Sequence, residues 1–410
     1  MLQLTMLKLI TLSALFPSAV RPNAGLFVRE RMGRVAQRIP LVVVAPQAWF
    51  PFQGIIRWFR PHFRPMAVRY EQMGALEIFR PYYLSVPGIL KDFDGLSMAL
   101  CSYRTVRRLQ RQTGASVLDV HFGYPDGYAG SLLARWLGLK FVVTFRGNED
   151  RTSRTSRRKH LMRCASSADL LIGVSEQLRA LGESLGAPSE RTCVVGNGVD
   201  LSKFRPIPRG EARAALGLPA DVPLLITVGG LVERKGFHRV IEVLPKLIAR
   251  HPGLRYLVVG GGSPEGDNSA ELRAQVERLA LQDRVVFCGP VAPERLHVYY
   301  SAANVFALAT RFEGWANVFL EAMACGLPVV TTLVGGNAQV VCDARLGLLV
   351  PFGEPAELEA ALDQALQRAW DAAYLRTYAE NNAWDSRIEL LVRHFHAVSA
   401  GNPSLTSPHA

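Results

Sequence analysis

The stretch Arg311-Phe-Glu-Gly-Trp-Ala-Asn-Val-Phe-Leu-Glu-Ala-Met-Ala-Cys-Gly-Leu-Pro328 places Glu313 in a loop and Glu321 eight residues later. Asn317, between them, is the expected N-cap of a short helix, with Gly326 and Pro328 as its stop, so Glu321 lies about one turn inside. The first amides of a helix have no internal partner and its N-terminus carries partial positive charge, so a phosphate fits above Asn317 and Val318. An ionised Glu321 then accepts hydrogen bonds from a ribose diol, and Glu313 from hydroxyls on whatever the phosphate carries. Spacing alone does not establish this, since a chain of this composition holds several such glutamate pairs.

The surroundings add weight. Strands are expected at Val305 to Leu308 before the stretch and Val329 to Thr332 after it. Further out, Leu224 to Val228 leads into a glycine loop (Gly229 to Gly236, with Gly230, Arg234 and Lys235) and a helix, Phe237 to Arg250. Leu254 to Val259 runs into Gly260-Gly261-Gly262, Val285 to Cys288 is another strand, Gly347 to Val350 closes the set, and Pro355 to Val398 reads as helical. Strands alternating with helices predict a parallel sheet covered on both faces, with ligands at the carboxyl ends of its strands. The glycine loop, Gly261, the end of the Val285 strand and the 311–328 stretch converge there.

The first half follows the same rule. Leu7 to Leu15 reads as a buried strand rather than a signal sequence, because Lys8 interrupts it and no small-residue cleavage site follows. A loop ending at Gly25 precedes a helix (Leu26 to Gln37) and a second strand (Leu41 to Ala45), and alternation resumes from Phe93. Between them, 46–85 reads as an irregular excursion rich in aromatics and arginine, Arg60 included, with two readings: packed on its own aromatics, or touching a membrane surface. Asn197-Gly198-Val199-Asp200 with Pro206 and Pro208 marks a linker. The expected domains are 1–204 and 205–400, the last helix crossing back or not, with a flexible tail at 401–410.

Composition is that of a globular chain, 49% hydrophobic with a mean hydropathy of +0.11, and no apolar run is long enough to span a bilayer. Six scattered cysteines without a Cys-x-x-Cys pair point to neither zinc nor disulfides and fit a reducing cytoplasm. The net charge of +12 is unevenly placed: residues 1–200 carry 27 Lys+Arg against 14 Asp+Glu, and residues 201–410 carry 20 against 21. A basic half points to an anionic partner. Nucleic acid is disfavoured, because no recognised binding module accompanies the charge.

With these residues in view, the chain resembles the GT4 family of retaining, nucleotide-sugar-dependent glycosyltransferases. Phe312-Glu-Gly-Trp-Ala-Asn-Val-Phe-Leu-Glu-Ala-Met-Ala-Cys-Gly-Leu-Pro-Val-Val330 is similar to that family's Glu-x7-Glu signature. Val228-Gly229-Gly230-Leu231 with Lys235-Gly236, His121 to Gly127, Thr144 to Asn148 and Gly347 to Pro351 add to the match. The resemblance implies the GT-B fold: α/β, two Rossmann-like, doubly wound parallel-sheet domains facing across a cleft, the first for the acceptor and the second for the donor.

It also implies roles. Glu321 would bind the ribose, Glu313 the donor sugar, the amides of Ala316, Asn317 and Val318 the diphosphate or sugar, and Lys235 the diphosphate charge. Gly230 and Gly261 would line the donor loops, the loop after Val285 would touch the base, and Gly25 would let backbone approach phosphate. No metal or cofactor is expected, the nucleotide-diphosphate sugar being a substrate.

Three departures stand. Gly230 occupies a place where the family commonly has arginine, leaving Arg234 or a single cation to supply the charge. Arg146 stands where histidine is common, and Trp315-Ala316 replaces Phe-Gly. Asp126 and His121 are candidates for orienting the acceptor or moving its proton, a purely structural His121 being the other reading. Retention follows by same-face substitution or double displacement, the first preferred for want of a protein nucleophile. The expected partners are a lipid-linked or growing glycan acceptor and an anionic membrane surface, with a catalytically idle binding partner as the alternative function.

Overall fold

The computed structural model describes residues 7–22, 24–59, 63–263 and 265–401; Arg60 and most of the expected tail lie outside them. The chain divides into two compact units, 1–197 with 387–410, and 198–386.

In the first unit, Leu9–Leu12 (β1), Leu41–Val44 (β2), Tyr70–Met73 (β4), Leu76–Phe79 (β5), Val117–His121 (β7), Lys140–Phe145 (β8), Leu170–Gly173 (β9) and Thr192–Val194 (β10) form one sheet, ordered β10-β9-β8-β7-β1-β2-β5-β4. Every neighbouring pair is parallel except β4 with β5. Gln47–Trp49 (β3) and Tyr82–Leu84 (β6) form a separate parallel pair. The central strands are continuous runs of buried residues such as LITL and LVVV, the pattern of a sheet covered on both faces. The strand order reverses at β1 and β7, so their following loops meet at the carboxyl edge.

The expectation for 46–85 is corrected here. Far from being irregular, it supplies β3 to β6 and a helix, Gln53–Phe59, and β5 extends the main sheet beside β2. Its strands are only three or four residues long and half polar, too short for an alternating run to announce them.

The second unit is a six-stranded, fully parallel sheet: Leu224–Val228 (β11), Arg255–Val259 (β12), Val285–Gly289 (β13), Val305–Leu308 (β14), Val329–Thr332 (β15) and Gly347–Val350 (β16), ordered β13-β12-β11-β14-β15-β16. Helix Phe237–Arg250 shows how it is covered: Phe237, Val240, Ile241, Leu244 and Leu247 recur every three or four residues and are all buried in one core cluster. The strand order reverses between β11 and β14.

The division falls at Asn197 and Gly198 rather than at 204 and 205. Val199 and Phe204 belong to the second unit's core, and Val199 exchanges backbone bonds with Asn382 and Trp384. A side chain on Gly198 would put its Cβ 2.6 Å from the Trp384 backbone. The expected long helix 355–398 is three, Pro355–Gln367, Ala372–Asn381 and Trp384–Ser399, and from Arg387 the chain belongs to the first unit.

Candidate functional site

At the β11/β14 reversal the two following loops lock together. Arg311 N donates to Arg234 O at 2.8 Å, and a Cβ on Gly236, held at φ +75°, would fall 1.9 Å from Ala309 O, which is why glycine stands there. The lock aims three groups at one carboxylate. Glu313 Oε1, buried, accepts from Lys235 Nζ at 2.7 Å, Arg234 Nη1 at 3.0 Å and Thr310 Oγ1 at 3.2 Å. The Glu313 backbone is fixed too: Gly336 N donates to its carbonyl at 2.9 Å, and Gly335, at φ +54°, lies so close that a Cβ would sit 1.9 Å from that oxygen. Two cations and one carboxylate in a shared network are a charged surface held rigid before any ligand arrives.

The helix after this loop is Asn317–Ala324, its N-cap is Ala316, and no side chain caps it. Asn317 is therefore the first helical residue and not the cap, a correction of one position; Ala316 has extended backbone (φ −89°, ψ 95°) while Asn317 already turns. Four residues on, Glu321 Oε2 accepts from Tyr300 Oη at 2.9 Å. Desolvation raises the Glu321 carboxyl to about 7, against the opposing pull of Tyr300 and the cations Lys203 and Lys235. Tyr300, fully buried on helix Leu296–Ala302, is the site residue that sequence reasoning missed, and its neighbours form no motif that would flag it.

Packing within the protein accounts for the glycines of these loops. Leu231 N donates to Gly261 O at 2.9 Å, a Cβ on Gly230 would meet Ser263 at 3.1 Å, and one on Gly260 would strike Gly229 O at 1.8 Å. Gly261 in turn faces Pro290, 2.9 Å from where its Cβ would be. Val285 is misplaced: it opens β13 and is buried opposite Tyr256, at the far edge of the sheet. The end of that strand reaching the ligand edge is Gly289, level with Val259. Arg234 also pairs with Glu265 at 2.9 Å.

In the first unit, Gly25 takes the left-handed conformation (φ +71°) ahead of helix Leu26–Val35, and a Cβ there would lie 2.2 Å from Leu15 O. Backbone rather than ligand is what requires glycine there. Asp126, in the loop after β7, is buried, accepts from Ala14 N after β1, and is raised to about 7 by desolvation. It sits at the strand-order reversal and is the first unit's candidate for handling a proton near neutral pH.

His121 is enclosed. Its Nδ1 accepts from Arg146 Nη2 at 3.0 Å, so the proton is on Nε2, 3.3 Å from Asp119 Oδ2, and desolvation lowers its pKa to about 4. The imidazole is buried and neutral, its Nδ1 held by Arg146 and its Nε2 near Asp119 but without a well-formed hydrogen bond, an arrangement that favours the structural reading. Arg146 is equally enclosed, donating to Asn197 Oδ1 at 3.2 Å. That oxygen also accepts from Arg31 Nη2 at 3.1 Å, a fully buried arginine the sequence did not single out. Glu149, likewise unforeseen, accepts from the backbone N–H of Gly123 (2.8 Å), Arg146 (3.0 Å) and Gly147 (2.7 Å), tying the loops after β7 and β8 together.

Comparison with known proteins comes in three forms. Residues 208–382 match the family model described as glycosyl transferases group 1, and residues 68–203 that of glycosyltransferase family 4. A D-inositol 3-phosphate glycosyltransferase of Corynebacterium urealyticum is 32% identical over 316 residues, 72% of this chain and 74% of that protein. One of Acidothermus cellulolyticus is 35% identical over 234 residues, so the chain spans about half (52%) of that relative, as it does of several others. The putative teichuronic acid biosynthesis glycosyltransferase TuaC of Bacillus subtilis is 25% identical over 89% of this chain and 90% of its own length. Among solved structures, sucrose-phosphate synthase from Thermosynechococcus elongatus superimposes with a TM-score of 0.76 at 22% identity, covering 97% of this chain and 100% of that one. Anabaena Alr3699/HepE in complex with UDP-glucose gives 0.71 at 19%, covering 95% and 99%. The fold they share is GT-B.

Proposed function

The chain belongs to the group 1 glycosyl transferases, and on that premise we propose that it moves a sugar from a nucleoside-diphosphate donor to a lipid-linked or growing glycan acceptor, with retention. The observation that carries the donor assignment is the pairing of Lys235 and Arg234 with Glu313 at the β11/β14 reversal, ahead of the uncapped helix bearing Glu321. In this reading Glu321 takes the ribose hydroxyls, as its position behind the helix N-terminus favours. Glu313 takes a sugar hydroxyl, and Lys235 turns to the diphosphate as negative charge develops on the leaving group. The amides of Ala316, Asn317 and Val318 complete the anion site. No metal or cofactor enters this scheme.

Same-face substitution, the leaving phosphate oxygen taking the acceptor proton, is the preferred course, because the two carboxylates of the donor site are both engaged: Glu313 is tied to two cations and Glu321 to Tyr300. Asp126 is the first unit's candidate for orienting the acceptor. His121 and Arg146 support it from within the core. The likeness to TuaC over nearly its whole length favours a polymer or glycolipid acceptor. The basic first half favours work at the inner face of a membrane, peripherally, and among the described residues no helix is long and apolar enough to cross one.

The test is donor turnover across a panel of nucleotide sugars, with the anomer of the product read by proton NMR. Retained anomeric configuration, and loss of turnover in Glu321→Ala and Lys235→Ala, supports the proposal. Inversion, or full activity in both variants, overturns it.

A further inference from the structure

Among the described residues eighteen large apolar side chains are exposed, and thirteen of them lie between Trp49 and Leu100. Single exposed apolar side chains are ordinary, whereas a concentration in one stretch marks a contact surface. Two elements present them in order. In helix Gln53–Phe59 the polar side chains turn inward: Gln53 Nε2 donates to Arg64 O at 3.4 Å, and Arg57 Nε to Phe63 O at 3.2 Å. Facing out are Phe52 (75% exposed), Ile55 (55%), Trp58 (87%) and Phe59 (82%), at the spacing of one helical face. The second stripe follows helix Asp94–Thr113, where exposed Leu96 and Leu100 give way at the same spacing to exposed Arg104, Arg107 and Arg111.

The stripes are neighbours. Arg64 Nη1 donates to Ser85 O at 2.6 Å, and Ser85 Oγ donates to Asp94 Oδ2 at 3.1 Å, at the start of the second helix. A third group adjoins them: Ser156 Oγ donates to Asp92 Oδ1 at 3.0 Å, which brings exposed Arg154, Arg158 and Lys159 close to exposed Ile89 and Leu90.

Charge identifies the occupant. Residues 51–70 contain four arginines and no Asp or Glu, and the only acid in 94–113 is Asp94, which is buried. Apolar tips beside exposed Arg104, Arg107 and Arg111, on a helix with no exposed carboxylate, match the headgroup region of an anionic bilayer, where the tips enter and guanidinium groups meet phosphate oxygens. A second copy of this chain would set arginine against arginine. We propose that this face docks the first unit on an anionic lipid surface, with helix Gln53–Phe59 as the inserted element and Arg104, Arg107 and Arg111 as the electrostatic rim. This deepens the reading of a lipid-linked acceptor, and its test is independent of turnover.

The full chain is floated with phosphatidylcholine vesicles, with and without phosphatidylglycerol, at low and high salt. The expected result is about tenfold more protein on anionic vesicles at low salt, weakened by salt. The pair Trp58→Glu with Phe59→Glu, and the pair Arg104→Glu with Arg107→Glu, should each reduce that binding about tenfold. Both should leave the melting temperature and its rise with nucleoside diphosphate unchanged. Equal partitioning onto neutral and anionic vesicles, or indifference to both pairs of substitutions, overturns the proposal. So does a dimer in light scattering that Trp58→Glu with Phe59→Glu dissociates, since the face would then join copies of the chain. Loss of the nucleotide response in wild type with lipid binding intact would overturn the donor reading and leave this one standing.

Discussion

Tyr300 Oη donates to Glu321 Oε2 at 2.9 Å, so the carboxylate assigned to the ribose is fixed from behind by a ring wholly inside the second unit's core. Tyr300 itself packs edge-on against Phe204 and tilted against Phe306, and those contacts survive removal of the hydroxyl. Tyr300→Phe is expected to weaken nucleoside-diphosphate binding by about ten- to 100-fold, since a hydrogen bond to a charged group contributes roughly 1.5–3 kcal/mol. Calorimetric titration checks it, and unchanged affinity would remove Tyr300 from the site.

Glu321 also sets a pH dependence. Its folded carboxyl is raised from 4.5 to about 7, so its contribution to stability is fully present below the unfolded value and is lost as pH rises through the folded one. Asp126, raised from 3.8 to about 7, acts in the same direction. Denaturant titrations between pH 4 and pH 8 should therefore show a smaller loss of stability with rising pH in Glu321→Gln than in wild type. Nucleotide affinity should run the other way, rising through about pH 7 more steeply in wild type, where the acceptor-only carboxylate forms, than in Glu321→Gln, where only the nucleotide's terminal phosphate titrates.

Lys235→Ala leaves Glu313 with Arg234 and Thr310. Turnover should fall by roughly 100- to 1000-fold, the range for removing one preorganised group facing developing charge. A rise in KM alone, read from steady-state kinetics, would mean that Lys235 binds ground state and transition state equally and has no special part in meeting the developing charge.

Gly335→Ala tests the backbone support of Glu313 without touching a functional side chain. The new Cβ, 1.9 Å from the Glu313 carbonyl at φ +54°, forces that loop to shift, and a 1 Å misplacement can cost about 100-fold in rate. Retained activity would show that the loop position is not critical.

Glu149→Gln replaces an acceptor of three amides by a group that can accept with only one oxygen and sets an N–H against the remaining donors. A cost of roughly 1–3 kcal/mol per unsatisfied buried group predicts a melting temperature lower by several degrees. Differential scanning calorimetry reads this directly.

Much of the fold was legible in the sequence because its central strands are unbroken apolar runs and most lead through a short loop into a helix, as Leu224–Val228, Gly229 and Phe237–Arg250 illustrate. The strands of 46–85 were not, being short and half polar. At the candidate site, Glu313, Glu321 and Lys235 carried a spacing that could be read. Tyr300, Glu149 and Arg31 act through contacts across 21, 26 and 166 positions, which no local pattern encodes. Val285 marked the right strand, but as its first residue it lies at the opposite end from Gly289, where that strand reaches the ligand edge. His121 and Asp126 stand five residues apart with similar motif value and both are buried, yet burial lowers the imidazole to about 4 and raises the carboxyl to about 7, because it disfavours the charged form of each.

The central claim is that the second unit binds a nucleoside diphosphate through Glu321 and Lys235. The direct measurement is the melting temperature of the full chain with each nucleoside diphosphate in turn, for wild type, Glu321→Ala and Lys235→Ala. A ligand at about 100 times its Kd adds roughly 2.7 kcal/mol, hence a rise of about 5–10 °C for a unit of this size. The account predicts such a rise for at least one nucleotide in wild type and its loss in both variants; no rise with any nucleotide, or equal rises in all three proteins, would contradict it.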